Sequence, residues 1–215
     1  MMKFHKAALL LLVSASLLSS CSKSDYVIPT TPAQPAYQND LRDDFNSDTH
    51  NWSYTNVTNG SAIYISNGYL YYTSHPSSNP AVLEAGLATS ISSSANFLLE
   101  TSISSDNIMG LYFGGTTTNK GFSFKINAVT GSYALYNEGD TTANSATPVL
   151  NWTVSNAICA SLNILRLEQV GNLWNGYINN TQVFSTTARP LVGNSVGFIM
   201  IPGTNGQADY LDIKW

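Results

Sequence analysis

Short runs of β-branched and aromatic residues, separated by Gly, Asn and Ser, recur along most of this chain. From Asp40 to Trp215 they return about every 8 to 12 residues, which is the spacing of strands in an all-β domain. No part of this segment keeps an apolar stripe at helical spacing for more than about two turns. The pattern therefore predicts an antiparallel β-sandwich of roughly 13 strands in two sheets.

Tight turns set the register of three predicted hairpins. Asn67-Gly68, a strong hairpin turn, pairs Ile63 with Tyr72, Tyr64 with Tyr71 and Ile65 with Leu70. The turn Gly171-Asn172 gives an apolar face of Leu165, Leu167, Trp174 and Ile178, opposite Arg166, Glu168, Asn175 and Tyr177. A longer turn at Val129-Thr130-Gly131 groups Phe124, Ile126, Tyr133 and Leu135, with Lys125, Ala134 and Tyr136 opposite. A slip of one residue would expose these apolar groups, so the pattern fixes the register.

The first 20 residues have the layout of a signal peptide. Lys3 and Lys6 precede the apolar run Ala7–Val13, which is too short to span a bilayer. The following Leu18-Ser19-Ser20-Cys21 resembles the lipobox of bacterial lipoproteins. That resemblance implies cleavage before Cys21, lipidation of Cys21 and attachment to a membrane through the lipid. Ser22 resembles an outer-membrane address, and Lys23-Ser24-Asp25 resembles the export tag of Bacteroidetes surface lipoproteins. We therefore expect a protein of the cell envelope, lipid-anchored to the outer membrane, that is either periplasmic or exposed on the cell surface.

Composition divides the rest of the chain into a tether and a domain, and it excludes nucleic acid as a partner. The segment before Asp40 contains Pro29, Pro32 and Pro35, a composition that predicts an extended tether. The predicted organisation is therefore a signal peptide over 1–20, a lipidated cysteine and tether over 21–39, and the sandwich domain over 40–215. The chain has 13 acidic residues against 9 Lys and Arg, a net charge of −4. It lacks the basic stripe that nucleic-acid binding requires.

The order of the strands resembles the concanavalin A-like jelly rolls, which include laminin G-like domains, lectins and laminarinase-type glucanases. The matching stretches are Phe97–Thr101, Gly121–Ile126, Gly131–Leu135, Asn163–Leu167, Trp174–Asn179, Val196–Ile199 and Ala208–Ile213, with Asp43-Asp44-Phe45 and Trp52 at the beginning. They cover nearly all of residues 40–215. That superfamily contains binding, structural and hydrolytic members, so the fold does not decide the function.

The catalytic pattern of the glucanases is absent from this sequence. Those enzymes use two glutamates and an aspartate alternating along one strand, because retaining hydrolysis needs two carboxyl groups about 5 Å apart. Glu138-Gly139-Asp140 is the nearest approach, and the third carboxylate is missing. His50 and His75 have no neighbouring Cys or His at metal-binding spacing. We therefore predict no glucanase site.

A structural Ca²⁺ is the cofactor that the resemblance implies. In several jelly rolls the aspartate that opens the last strand helps to bind calcium, and Asp209 matches it. Calcium takes six or more oxygens, and Asp43 or Asp44 with backbone carbonyls could supply others. The alternative is that Asp209 only makes a local cap or pair.

The face opposite the core on the strands from Phe97 to Tyr136 is the predicted ligand site. It offers Glu100, Tyr112, Lys125 and Tyr136, and on the superfamily's concave sheet such a set would form a glycan groove. The alternative is a solvated face on which tyrosines merely favour strands. Tyr64, Tyr69 and Tyr71 form a rival patch with the same two interpretations.

Three functions follow from these observations. The first is a non-catalytic, lectin-like lipoprotein of the envelope that binds a polysaccharide. The second is a structural or adhesive lipoprotein with a protein partner in the envelope. The third is a glycoside hydrolase of unrecognised design, which would need two carboxylates converging in a cleft.

Overall fold

The computed structural model describes residues 37–56, 60–73, 81–85, 90–116, 121–139 and 146–215, all within one compact unit, Ala33–Trp215. These residues form strands, turns and bends, which confirms the all-β prediction. No helix among them is long and apolar enough to cross a membrane. The predicted signal peptide, Cys21 and most of the predicted tether lie outside the described residues, as does His75.

Fifteen strands are described, two more than the predicted number. In chain order they are β1 (Asp40–Asp43), β2 (Tyr54–Asn56), β3 (Ser61–Ser66), β4 (Tyr69–Thr73), β5 (Ala81–Ala85), β6 (Phe97–Ser105), β7 (Ile108–Gly115), β8 (Phe122–Asn127), β9 (Ser132–Asn137), β10 (Thr147–Val154), β11 (Asn163–Val170), β12 (Leu173–Ile178), β13 (Thr181–Thr187), β14 (Ser195–Met200) and β15 (Asn205–Lys214).

The strands form two antiparallel sheets. One sheet has nine strands in the order β13-β12-β11-β6-β15-β4-β3-β2, with β1 also paired to β15. The other has six strands in the order β10-β9-β8-β7-β14-β5. The ten-residue strand β15 is the hub of the larger sheet, because it pairs with β6, with β4 at its beginning and with β1 at its end. A bulge between Ala208 and Tyr210 interrupts its pairing with β6.

The three predicted hairpin registers are confirmed. Asn67-Gly68 turns with positive φ at both residues, and the pairs Ile63↔Tyr72, Tyr64↔Tyr71 and Ile65↔Leu70 form as expected. Strands β11 and β12 pair around Gly171, and β8 and β9 pair around Gly131. Both asparagines of the turn Asn179-Asn180 also have positive φ, at 50° and 66°. Asparagine tolerates this left-handed conformation better than most residues do.

The core between the sheets is rich in aromatic rings. Trp174 of the larger sheet lies edge-on to Phe113 and Phe122 of the smaller one, with ring centroids 5.2 and 4.8 Å apart. Each such pair adds about 0.5–1.5 kcal/mol beyond the area that it buries. Because strands alternate, the residues between these core positions point away from the core, and they form the outer faces of the sheets.

Candidate functional site

A polar cluster lies on the outer face of the six-stranded sheet. In β8, Phe122, Phe124 and Ile126 enter the core, so the alternating Ser123 and Lys125 point outward. Ser123 pairs across the sheet with Tyr136 of β9, which therefore points outward too. This alternation follows from the period of two along a strand.

An ion pair is the centre of this cluster. Lys125 Nζ donates to Glu138 Oε1 at 2.8 Å, and the Ser123 hydroxyl donates to the same oxygen. The two charged side chains are only 10% and 13% exposed. The backbone holds Glu138 in place, since its N–H donates to the Gly121 carbonyl at 2.8 Å. Removing one partner of such a pair would leave the other charge poorly solvated, which is costly.

Two aromatic rings extend the cluster to the edge of the sheet. Lys125 Nζ lies 4.3 Å from the ring centroid of Tyr136, close enough for a cation–π contact. The Tyr136 ring is in turn 6.5 Å from the Trp152 ring of β10, at an angle of 48°. Trp152 is 38% exposed, which is high for so large an apolar side chain.

We call Ser123, Lys125, Tyr136, Glu138 and Trp152 the platform. It joins accessible ring surface to a fixed donor and a fixed carboxylate acceptor, and the charges of Lys125 and Glu138 cancel each other. Apolar faces with a few placed polar groups are the usual chemistry of small-ligand sites. Such a surface can bind the C–H face of a sugar ring while its polar groups bind sugar hydroxyls.

Tyr112 lies on this face, as predicted, but it does not reach solvent. It is next to Ser123 in the β7–β8 register and is completely buried. Its ring extends along the strand over Gly115, where any side chain would collide with the Tyr112 hydroxyl. We therefore treat Tyr112 as a support beneath the platform rather than as a contact with a ligand.

The prediction that Glu100 shares this face is wrong. Glu100 lies on β6, which belongs to the nine-stranded sheet, whereas β7, β8 and β9 belong to the other sheet. The chain crosses from one sheet to the other in the short connection between β6 and β7. The alternation of apolar and polar residues shows which face of a strand packs against the core. It does not show which of the two sheets the strand joins, because strands of both sheets have the same alternation.

Glu100 instead belongs to a row of charged and aromatic side chains on the outer face of the larger sheet. It accepts a hydrogen bond from the Tyr210 hydroxyl at 2.7 Å, and the Arg42 guanidinium lies 4.1 Å from the Tyr210 ring centroid. Burial, and then the hydrogen bond to Glu100, raise the pKa of Tyr210 well above its ordinary value. On β11 and β12, Arg166 stacks on Tyr177 in the same way, at 4.2 Å.

Two of the predicted calcium ligands, Asp43 and Asp44, have partners within the protein. Asp43 is buried, and its Oδ1 accepts the Phe45 N–H at 2.9 Å while its Oδ2 accepts Trp52 Nε1–H at 2.8 Å. His50 Nδ1 also lies 2.8 Å from Oδ2. Asp44 instead pairs with Arg42 at 2.7 Å. Within the described ranges, no three His, Cys, Asp or Glu side chains group as a metal site would require.

A buried carboxylate that already accepts nitrogen donors on both oxygens does not fit the role of a calcium ligand. Asp209 lies at the bulge of β15, between the two residues where the register shifts. Calcium binding through Asp209 thus stays a prediction, and Asp43 is unsuited to take part in it.

Sequence reasoning missed three of the five platform residues. Trp152 could have been found by aligning β10 with β9, but bulges after Pro148 and Leu150 shift that register. The sequence marks Glu138 only as one half of the catalytic pair that Glu138-Gly139-Asp140 approaches, and its ion pair with Lys125, 13 residues earlier, leaves no local pattern. Ser123 was missed because a lone serine between two phenylalanines carries no signal of its own.

Comparisons with known proteins bear on the fold. No family model and no curated protein matches the chain. Among solved structures, it is similar to the carbohydrate binding module CBM66 from Bacillus subtilis, with a TM-score of 0.52 at 12% identity over 76% of this chain and 91% of that one. It is also similar to LamA from Z. galactanivorans, solved with laminaritriose and laminaritetraose, with a TM-score of 0.55 at 12% identity over 84% and 100%.

A third similar structure is a prokaryotic β-1,3-1,4-glucanase (lichenase) derived from a mouse hindgut metagenome. Its TM-score is 0.53 at 9% identity, over 81% of this chain and 98% of that one. At such identities the likeness shows the jelly-roll fold alone, which agrees with the fold class that the sequence predicted. Function has to be argued from the site.

Proposed function

We propose that the domain binds a glycan on the outer face of its six-stranded sheet, through the platform. The observation that carries this proposal is the contact series from Glu138 through Lys125 to Tyr136 and Trp152. It places a rigid donor and acceptor beside two partly exposed rings. Structures of a carbohydrate-binding module and of glucanases with the same fold support the proposal.

We propose that this binding is non-catalytic. The Glu138 carboxylate is held by Lys125 and Ser123, and in the described part of the chain it has no hydrogen bond to a second carboxylate. Retaining glycosidases need two carboxyl groups close together, one of which must be protonated to act as the acid. An ion-paired glutamate suits recognition of a hydroxyl better than donation of a proton.

The location of the domain is a second part of the proposal and rests on the sequence alone. A lipid on Cys21 would attach it to the outer membrane, in keeping with the lipobox-like Leu18–Cys21. Metabolic labelling with a palmitate analogue tests this, because label should enter the wild type and not Cys21→Ser. Equal labelling of both proteins would exclude lipidation at Cys21.

Titration calorimetry against a panel of soluble polysaccharides tests glycan binding. Trp152→Ala and Tyr136→Ala should each weaken binding about ten-fold or more, equivalent to about 1.4 kcal/mol. Tyr64→Ala is the matched control, since Tyr64 is an exposed strand tyrosine on the other sheet, where it stacks on Tyr71 with centroids 5.3 Å apart. Binding that depends on Tyr64 and not on Trp152 would move the site to that patch.

If the domain binds no glycan in this panel, the second function, a structural or adhesive role with a protein partner, becomes the favoured one. Cross-linking on intact cells would then be the deciding measurement. Release of reducing sugar by the wild type, lost in Glu138→Gln, would instead establish the hydrolase that the sequence left open.

A further inference from the structure

A cavity lies at one end of the six-stranded sheet, where β8 begins and β9 ends. Its volume is about 470 Å³, which is within the usual range for small-molecule sites. Phe122 and Asn137 form its wall on the sheet side, and Arg189 and Val192 form its wall on the side of the loop between β13 and β14.

The loop that carries Arg189 is fixed at both ends. Ala188 N donates to the Asn172 carbonyl at 2.8 Å, and Leu191 N donates to Ser93 Oγ at 2.7 Å. Val192 N and Gly193 N both donate to the Gly114 carbonyl, at 3.1 and 3.0 Å. Gly193 passes so close to the Gly115 backbone that a Cβ there would lie 2.0 Å from the carbonyl oxygen. The loop therefore has a preformed shape, which lowers the entropic cost of binding.

The charge of Arg189 is not neutralised within the described part of the chain. Four other described cations pair with a carboxylate, namely Arg42 with Asp44, Lys125 with Glu138, Arg166 with Glu168, and Lys214 with Asp212. Arg189 has no such pair there, and none of the residues that line the cavity is acidic. A guanidinium offers five N–H donors in a planar fork that matches a carboxylate.

A second donor lies on the opposite wall. The Asn137 side-chain oxygen accepts the Gly139 N–H at 3.1 Å, which leaves its NH₂ group as the part that can act on a ligand. No described residue accepts a hydrogen bond from this NH₂. The cavity thus combines a cation and an amide donor with an apolar wall at Phe122, and it lacks an anion among the described residues.

We propose that this cavity binds the carboxylate of an acidic sugar, a uronate residue within the glycan that the platform holds. This inference rests on the proposed function. Asn137 and Gly139 line the cavity and flank Glu138 in the chain. Asn137 pairs with Phe122, which faces the core, so the cavity opens on the core side at the end of β9, and a glycan on the platform would reach it by passing over that end. A single glycan can then contact both, with neutral sugars over Tyr136 and Trp152 and the charged sugar beside Arg189.

The charge of the whole protein limits the kind of acidic glycan. With a net charge of −4, the chain repels a long polyanion, and Arg189 alone cannot offset that repulsion. The expected ligand is therefore a mostly neutral polysaccharide that carries isolated uronate residues, rather than a polyuronate.

Matched oligosaccharides test the inference on the full chain in detergent. The probes are uronate-bearing oligosaccharides, such as a xylo-oligosaccharide with one glucuronate, each beside its carboxyl-reduced form. Calorimetry should show at least about ten-fold tighter binding of the uronate form, weakening as salt is raised. Arg189→Gln should remove this preference, so that the uronate form and the reduced form bind the variant with equal affinity. Arg189 is on the surface, and an unaltered thermal unfolding midpoint would show that the variant folds.

The outcomes separate this inference from the proposed function. Equal affinity for both forms, with binding still lost in Trp152→Ala, would overturn the uronate site and leave the glycan-binding proposal standing. Failure of every oligosaccharide to bind would overturn both. A peptide with a free C-terminal carboxylate that binds through Arg189, when no uronate does, would show that the carboxylate comes from a protein and would also overturn the assignment to a sugar.

Discussion

Asp43→Ala should cost the domain a large part of its stability. The Asp43 carboxylate ends β1 and accepts two buried N–H groups, Trp52 Nε1–H and the Phe45 backbone N–H. Hydrogen bonds to a charged acceptor contribute about 1.5–3 kcal/mol each, and a buried donor left without a partner adds a desolvation penalty. His50 is partly exposed, so it can turn to water and adds little. The expected loss in the free energy of unfolding is thus about 3–5 kcal/mol.

That loss is large because the carboxylate supports more than its own bonds. Phe45 has a positive φ of 52°, which is uncommon for a residue other than glycine, and the Asp43 side chain holds that turn. The Trp52 ring packs against Phe45 and Phe198, with centroids 5.7 and 5.8 Å apart. A domain of this kind has about 5–15 kcal/mol in total, so the variant should be close to unfolding at 37 °C.

Urea unfolding of Ala33–Trp215, followed by tryptophan fluorescence, measures the effect. The matched control is Asp44→Ala. The neighbouring Asp44 is about half exposed, and among the described residues its ion pair is with Arg42, so the loss should stay within about 0.5 kcal/mol. Asp43→Asn should fall between the two, since it keeps one acceptor and presents an NH₂ to the other donor. A loss below about 1 kcal/mol for Asp43→Ala would refute the reasoning, because it would mean that water satisfies the Trp52 N–H at no cost.

Three further predictions can be checked with the same protein. Gln169 is buried, donates to the Ser93 and Ala95 carbonyls and accepts Trp174 Nε1–H at 2.8 Å. Gln169→Leu should therefore lower the free energy of unfolding by about 2–4 kcal/mol, as measured by urea unfolding. The exposed Gln182→Leu is the control, and an equally small change in both variants would contradict this prediction. Burial, and then the charge of Glu168, raise the pKa of Tyr37 to about 12, above the ordinary value near 10 that it regains on unfolding. This stabilising contribution is complete below pH 10 and is lost as the pH rises towards 12. Urea unfolding midpoints measured from pH 9 to 12 should therefore fall less steeply with pH in Tyr37→Phe than in the wild type. Identical slopes in the two proteins would count against this prediction. Calcium bound through Asp209 should raise the unfolding midpoint in millimolar Ca²⁺ above that in EDTA, and Asp209→Ala should abolish the rise. Equal midpoints in Ca²⁺ and EDTA would contradict the predicted metal site.

The local architecture followed from the sequence because turn chemistry and alternation act over a few residues. Asn67-Gly68 set the pairing of β3 with β4, and Gly171 and Gly131 marked the turns of two further hairpins. In each case the apolar residues could reach the core in one register only. Face assignments within one hairpin, such as Lys125 opposite Phe124, were therefore correct.

The assignment of strands to sheets could not be made in this way. β6 pairs with β11 and β15, and its partner residues Arg166 and Asp212 lie far along the chain from Glu100. Such pairings depend on the packing of the whole sandwich, and no short pattern encodes them. The same reason explains why only part of the platform could be predicted. Lys125 and Tyr136 belong to one hairpin, β8–β9, so their common face follows from local alternation. Trp152 lies on β10, whose register with β9 is shifted by bulges, so its place beside Tyr136 does not follow from the sequence.

The position of β15 has a consequence for how the chain reaches its folded state. This strand, Asn205–Lys214, lies between β6 on one side and β4 and β1 on the other. Until β15 is in place, the larger sheet is therefore divided into three unconnected parts, namely β13-β12-β11-β6, β4-β3-β2 and β1 alone. During synthesis the ribosome still covers β15 when β1 to β13 have emerged. The partial product would expose the edges of β4 and β6, which invite pairing with other chains. Contacts so distant in sequence also make folding slow. A chain built in this way would gain from being held unfolded until its last strand is available, as export through the predicted signal peptide would require. Removal of the final ten residues should leave the protein prone to aggregation rather than merely shorter.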